Sequence, residues 1–134
     1  MILVDTNVLI DVLENDPKWA EWSIQQLRSQ SQVYQLAINP IIYSELSLAF
    51  LTFEALDKVI VDLGLSLLEI PKPALFLAGK AFIRYKREGG TKSNLLADFF
   101  IGAHAAILGC PILTRDDKRY RSYFQDLSII TPPS

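Results

Sequence analysis

Four acids, far apart in the chain, stand where a carboxylate is hard to explain as ordinary surface: Asp5, Glu45, Asp98 and Asp116. Asp5 interrupts "MILVDTNVLI", directly after Ile2-Leu3-Val4 and just before the apolar run resumes. Glu45 has Ile41, Ile42, Leu48 and Ala49 at helical spacing around it. Asp98 precedes "FFIGAHAAIL", which is apolar almost all round and therefore a central helix. Asp116 comes two residues after the apolar-to-hydroxyl step Leu113-Thr114. Brought together, four carboxylates raise one another's pKa and cost stability unless a cation neutralises them. Oxygen-only ligands point to Mg²⁺ or Mn²⁺. One cysteine and one histidine leave no nitrogen–sulfur zinc cluster. Each acid also has a plainer reading. Asp5 can simply cap a following helix, Glu45 can be an exposed helix former, and Asp98, Asp116 and Asp117 can be first-turn acids favoured by the helix dipole. His104 and Cys110 read as structural core residues.

The elements that would position these acids alternate along the chain. Strands are expected over 1–5, 34–39, 65–70, 111–114 and 127–131, and helices over 6–14, 41–51, 53–64, 74–88, 95–108 and 115–124. Asp16-Pro17 starts a further helix that runs through "KWAEWSIQQLRSQ", with Pro17 in its first turn. Asn39-Pro40 ends the second strand and opens the next helix, Gly64 and Gly109 stop theirs, and Asn94 is placed to cap the helix at 95–108. Short hydrophobic strands alternating with helices indicate an α/β fold with a central parallel sheet of four to five strands and helices on both faces. In such sheets the ligand crevice lies at the carboxyl ends of the strands. Asp5 and Asp116 fall there, and Glu45 and Asp98 fall near helix starts that can face the same edge.

With 134 residues and 50% hydrophobic content, the chain is expected to form one domain, 1–134, with a real core. The slight apolar surplus, concentrated in "WAEWSIQQL" and "FEALDKVIVDLG", suggests a homodimer or a bound partner. No run is long enough to span a membrane, no signal peptide is visible, and a lone cysteine suits a reducing cytoplasm. The formal charge of −2 hides an asymmetry. Residues 1–79 hold ten acids and four bases, whereas residues 80–121 hold nine bases and four acids. A basic sector beside an acidic one suits a polyanion met locally, although solvated helix faces give the same composition.

Taken in order, "VDTNVLID", the Glu of "YSEL", "LLADFFIGAHA" and "LTRDDKRY" resemble the PIN-domain family, particularly the VapC toxins of bacterial type II toxin–antitoxin systems. The resemblance runs from Met1 to Pro132. It implies a Rossmann-like three-layer α/β/α domain that binds Mg²⁺ or Mn²⁺ and cleaves RNA. It carries the family's acids onto Asp5, Glu45, Asp98 and Asp116, with Asp5, Asp98 and Asp116 as metal ligands. Asn7 matches the residue that supports the first acid, and Thr114 the hydroxyl residue before the last. It also implies a homodimer and a small VapB-like antitoxin that sends a cationic side chain towards the carboxylates and an apolar segment into a groove near Trp19, Trp22 and residues 41–50. Two positions depart from the family pattern. Ala97 stands where Pro often precedes the third acid, and Arg119-Tyr120 stands where many members have Asp-Phe, leaving Asp117 as a weak substitute for a fifth acid.

In this reading a bound cation activates water for in-line attack on a phosphodiester, and Glu45 orients or deprotonates that water. Arg84, Lys86, Arg87 and Lys92 hold the RNA backbone, with Arg115 and Arg119 as alternatives. A second reading is a PIN-like scaffold that binds RNA or protein without cutting. A response-regulator receiver fails, because "LEIPKP" lacks a phosphorylatable Asp after the third strand and "ITPPS" lacks a Lys after the fifth.

Overall fold

A computed structural model describes residues 1–92 and 95–133. Five short strands form one sheet: β1 (Ile2–Val4), β2 (Leu36–Ile38), β3 (Ser66–Leu67), β4 (Ile112–Leu113) and β5 (Ile129–Ile130). Their order is β3-β2-β1-β4-β5, and every pairing is parallel. Ile2, Leu3 and Val4 are all fully buried. Successive strand side chains point to opposite faces, so both faces of the central strand are covered and the fold is three-layered.

Among the described residues the helices are α1 (Thr6–Leu13), α2 (Ala20–Ser31), α3 (Pro40–Leu46), α4 (Phe53–Asp62), α5 (Lys72–Arg87), α6 (Leu96–Leu108) and α7 (Lys118–Tyr123). Helix α1 packs on α2 and α3, while α5 packs along α6 and α6 on α7. Phe82, Tyr85, Phe99, Tyr123 and Phe124 fill the second group with tilted and edge-on ring contacts at centroid separations of 5.2–6.5 Å. Local signals explain the boundaries. Asn39 caps α3 by accepting from the Ile42 N–H at 2.9 Å, with Pro40 opening the helix. Gly64 and Gly109 follow α4 and α6 with φ of 68° and 67°, the left-handed conformation that glycine adopts without strain.

The structure shortens several expected elements. The strands hold two or three residues each. Asp5 and Thr114 still donate their N–H groups across the sheet, to the Leu113 and Ile130 carbonyls at 2.9 and 3.0 Å, while their side chains, like that of Asn39, turn to capping and cross-strand bonds. Asp16 does not begin a helix. Its Oδ1 accepts from the N–H groups of Lys18 and Trp19, both at 2.9 Å, which folds Pro17 into a turn and delays α2 to Ala20. The helix expected over 41–51 ends at Leu46 and tightens into a 3₁₀ turn at Ser47–Ala49, after which Phe50 is extended. There the Ser47 hydroxyl donates back to the Ser44 carbonyl at 2.6 Å. The proposed Asn94 cap lies outside the described residues.

Of the two stretches expected to carry surplus apolar surface, residues 53–64 do so at Phe53 and Val61, and residues 19–27 do not. Trp22 packs against the core and α2 shows no large exposed hydrophobic residue. The exposed ones cluster at Leu48, Leu51 and Phe53, where the broken helix lifts its side chains off the core, and at Val61, Phe76 and Ile83. No helix among the described residues is long and apolar enough to cross a membrane.

Gly102 of α6 lies close under Tyr120 of α7 and Phe124 just beyond it. A Cβ there would stand 2.5 Å from Phe124 Cε2 and 2.9 Å from Tyr120 Cδ1. Alanine for glycine inside a helix ordinarily gains about 1 kcal/mol, but overpacking costs about 1–3 kcal/mol. Gly102→Ala is therefore expected to lower the thermal midpoint by several degrees; a rise would show that α7 moves aside freely.

Candidate active site

Sheet order decides where a site can form. After β1 the chain turns through α1 towards β2, and after β4 it turns through α7 towards β5 on the opposite side. The adjacent strands β1 and β4 therefore part at their carboxyl ends and leave a crevice. Asp5 closes β1 and Thr114-Arg115-Asp116 closes β4. Helices α3 and α6 bring Glu45 and Asp98 to the same place. All four acids line one cleft of about 480 Å³, together with Thr6, Asn7, Lys92, Arg115, Lys118, Arg119 and Tyr120.

Asp5 is buried and heavily bonded. Its Oδ1 accepts from the Thr6 N–H at 2.8 Å, so it does cap α1. Its Oδ2 accepts from the Thr114 hydroxyl at 2.9 Å and the Tyr120 hydroxyl at 2.8 Å. The Asn7 amide lies farther off, at 3.4 Å. Asn7 also donates to Thr114 Oγ1 at 3.2 Å and accepts from the Arg115 N–H at 3.1 Å, clamping the end of β4 onto α1. Glu45, half-buried, accepts at Oε1 from the Thr6 hydroxyl at 2.6 Å. Asp116 is exposed and accepts at Oδ1 from the Lys118 N–H at 3.4 Å.

The electrostatics follow from this crowding. Burial pushes Asp5 up to about 6 against the hydrogen bonds from Tyr120, Thr114 and Thr6, with Glu45 adding to the rise. Burial also pushes Asp98 up to about 7, and the negative charges of Asp5, Glu45 and Asp116 reinforce it while Arg119 opposes. Burial and the surrounding acids hold the Tyr120 hydroxyl well above its ordinary range, so it serves as a proton donor in a hydrogen bond. Hard oxygen donors of high charge density fit Mg²⁺ or Mn²⁺. Among the described residues no three acidic, histidine or cysteine side chains are gathered tightly enough to form a finished metal cage. The fit therefore rests on donor type and a shared cleft.

The basic residues divide. Lys92 lines the cleft. Arg115 lines it too, but its guanidinium forms a bidentate pair with Asp11 at 2.8 and 2.9 Å, and Ser23 donates to the same carboxylate. Arg84 donates to the Ser122 carbonyl at 2.6 Å and lies over the Tyr123 ring. Lys86 and Arg87 are exposed on the last turn of α5, and neither they nor Arg84 line the cleft. Asp117 pairs with Arg121 and faces a neighbouring, larger cleft of about 870 Å³ bounded by Trp19 and residues 129–133. Among the described residues that cleft has a single carboxylate, already engaged, whereas the smaller one gathers four. His104 is fully buried and meets the Asn39 amide at 3.1 Å through Nδ1.

Sequence reasoning gave no site role to Thr6, Asp11 or Tyr120. Thr6 had a visible signal, a hydroxyl next to the first acid. Tyr120 is four residues past Asp116 and thus one turn along, but nothing in the sequence said that its hydroxyl would reach back to Asp5.

A family model described as PIN domain matches residues 2–125. A search of curated proteins finds no match. Several solved structures share the fold. A chain of VapBC2 from Rickettsia felis, bound to a DNA fragment of its promoter, is 19% identical with a TM-score of 0.75, covering 99% of this chain and 100% of that one. VapBC-1 from nontypeable Haemophilus influenzae is 22% identical with a TM-score of 0.73, covering 98% of each chain. A toxin–antitoxin complex from Klebsiella pneumoniae is 22% identical with a TM-score of 0.72, covering 99% and 98%.

The raised acids predict a pH signature. Both folded values lie above the ordinary aspartate value of 3.8, so the native state holds protons that the unfolded chain has released. The stability these two groups contribute is fully present below about pH 3.8 and is lost as pH rises through 6 to 7. Asp98→Asn removes one of them without changing shape. In chelator, the variant's thermal midpoint is expected to pull ahead of the parent's as pH rises from 5 to about 8, and Mg²⁺ should narrow the gap. Parallel curves at all pH values would remove the crowding argument.

Proposed function

The chain belongs to the PIN-domain family, and on that premise we propose that it is a metal-dependent endoribonuclease, the toxin of a type II toxin–antitoxin pair. The observation that carries this is the convergence of Asp5, Glu45, Asp98 and Asp116 on one cleft at the parting of β1 and β4. The names of the solved structures, VapBC and toxin–antitoxin complexes, support the pairing with an antitoxin.

Asp5, Asp98 and Asp116 would hold Mg²⁺ or Mn²⁺, which when bound supplies Lewis acidity and an acidified water. Asp5 is the rigid member, because donors from three segments fix its orientation. Glu45 is anchored through Oε1 by Thr6 and offers Oε2 to orient the attacking water and accept its proton. Lys92 and Lys118 bring positive charge to the rim, where an RNA phosphate must approach four acids. Arg84, Lys86 and Arg87 extend that charge beyond the cleft. Arg115 acts as a structural cation, since its guanidinium is committed to Asp11.

An antitoxin would close the site from outside. An apolar cleft of about 220 Å³, lined by Tyr43, Ser47, Phe50, Leu51, Thr52, Phe53 and Leu56, offers a seat for its hydrophobic anchors. The Leu48–Phe53 ridge and the exposed faces of α4 and α5 are equally open to a second copy in a homodimer.

The test is cleavage of a mixed RNA pool with Mg²⁺ or Mn²⁺ and with chelator. The parent is expected to cut only with metal, and Asp98→Asn to lose about 100-fold or more of the rate. Asp98 is the better probe than Asp5, because an amide at position 5 would disturb the Thr114 and Tyr120 bonds. RNA bound but never cut would favour the scaffold reading, and cutting that survives the chelator would sink metal dependence.

A further inference from the structure

Arg119 is the odd residue of the cleft. It lines the wall shared by the four acids. It is also the positive charge that acts on Asp98 against the repulsion of Asp5, Glu45 and Asp116. Yet it forms no ion pair among the described residues, unlike Arg84, Arg115 and Arg121. Its Nε is buried and finds no hydrogen-bond partner among the described residues. A buried donor left unmet costs about 1–3 kcal/mol, so such an atom needs an explanation. The guanidinium is held over the Tyr85 ring, its Cζ 5.4 Å from the centroid. Tyr85 is itself fixed by packing against Phe82 and Phe99 and by accepting from the Lys92 N–H at 3.1 Å. Arg119 is thus a positioned cation beside the acids and not a solvated surface charge.

Its place in the sequence adds a second observation. The nearest further acid, Asp117, pairs with Arg121 and faces the other cleft, so α7 brings Lys118, Arg119 and Tyr120 to the four acids and no fifth carboxylate. The cleft therefore gathers four carboxylates and a positioned guanidinium on the wall beside them. Planar guanidinium matches two phosphate oxygens at once, and its charge does not titrate in the working range.

We propose that Arg119 is a catalytic residue that binds the scissile phosphate and supplies the positive charge a second divalent cation would otherwise bring, so that this chain works with one metal ion. The proposal rests on the ribonuclease reading for its substrate. Arg119 would neutralise charge gathering on the non-bridging phosphate oxygens, while Asp5, Asp98 and Asp116 hold a single cation and Glu45 takes the proton from water.

The experiment counts metal ions as well as turnover. Calorimetric titration with Mn²⁺ alone is expected to give one ion per chain for the parent and for Arg119→Gln, and two for Arg119→Asp. In RNA cleavage, Arg119→Gln should lose about 100- to 1000-fold in kcat with a smaller change in KM, and Arg119→Lys should recover part of that loss. Circular dichroism on each variant confirms that the fold is kept. Two ions bound by the parent, or parental kcat in Arg119→Gln, would overturn the proposal. A parent that cuts no RNA would sink the ribonuclease reading, and with it the phosphate role, while the ion count still decides whether Arg119 stands in for a second metal.

Discussion

A carboxylate in the core is the constraint on which the rest of this structure turns. Asp5 is 5% exposed, at the end of the central strand. Burying an isolated charge costs several kcal/mol even after relaxation. The fold meets that cost with donors drawn from separate segments: the first N–H of α1, the Thr114 hydroxyl at the end of β4, and the Tyr120 hydroxyl on α7. Each bond that stabilises the anion also ties one of those segments to β1. The acid is therefore both the least comfortable group in the core and the point where the sheet, α1 and α7 are fastened. Burial still prevails over the bonds, which is why the group is left above its ordinary pKa and ready to gain from a cation.

A second buried carboxylate does different work. Asp11 is 1% exposed on α1 and receives Arg115 in a bidentate pair and Ser23 from α2. Removing one partner of such a pair leaves an uncompensated charge, so Arg115 is tied to architecture. Its backbone N–H donates to Asn7 as well. The loop after β4 is thus held at both backbone and side chain, and Asp116, the next residue, is presented at the rim although its own side chain is exposed. The acidic site gains its precision from neighbours that never touch a substrate.

The sheet and the four acids were legible in the sequence because their signals are local. A short apolar strand followed by Asp, a helix capped by Asn-Pro, and glycines just past helix ends each state their structure within a few residues. What was hidden depends on distance. Arg115 and Asp11 are 104 residues apart, and no local pattern says that a base beside the last acid is already spoken for. Tyr120 and Asp5 are 115 apart. The helix through residues 41–51 was overextended because Leu48 and Leu51 continue an apolar period, but those side chains point outward once the chain tightens at Ser47. Surplus apolar surface holds at residues 53–64, where Phe53 and Val61 are exposed, but not at residues 19–27, where Trp19 and Trp22 lie edge-on to each other with Trp22 against the core.

Helix α3 links the two open features of the surface. Glu45 faces the acidic cleft, while Tyr43 and Ser47, two residues to either side, line the apolar one. Two residues turn a helix by about 200°, so the two clefts lie on opposite sides of one short rod. Neither is a strong site alone. The apolar cleft is small, about 220 Å³, and a lone guanidinium at the acids competes with a divalent cation and with water. A partner segment passing over the end of α3 could fill both, and linkage raises the local concentration of the second group into the millimolar range once the first is seated. Under the proposed function, inhibition would then require the anchor and the cation on the same chain. The ordering cost of a flexible segment would be met by the apolar cleft, leaving the cationic group to set how steeply the complex responds to metal.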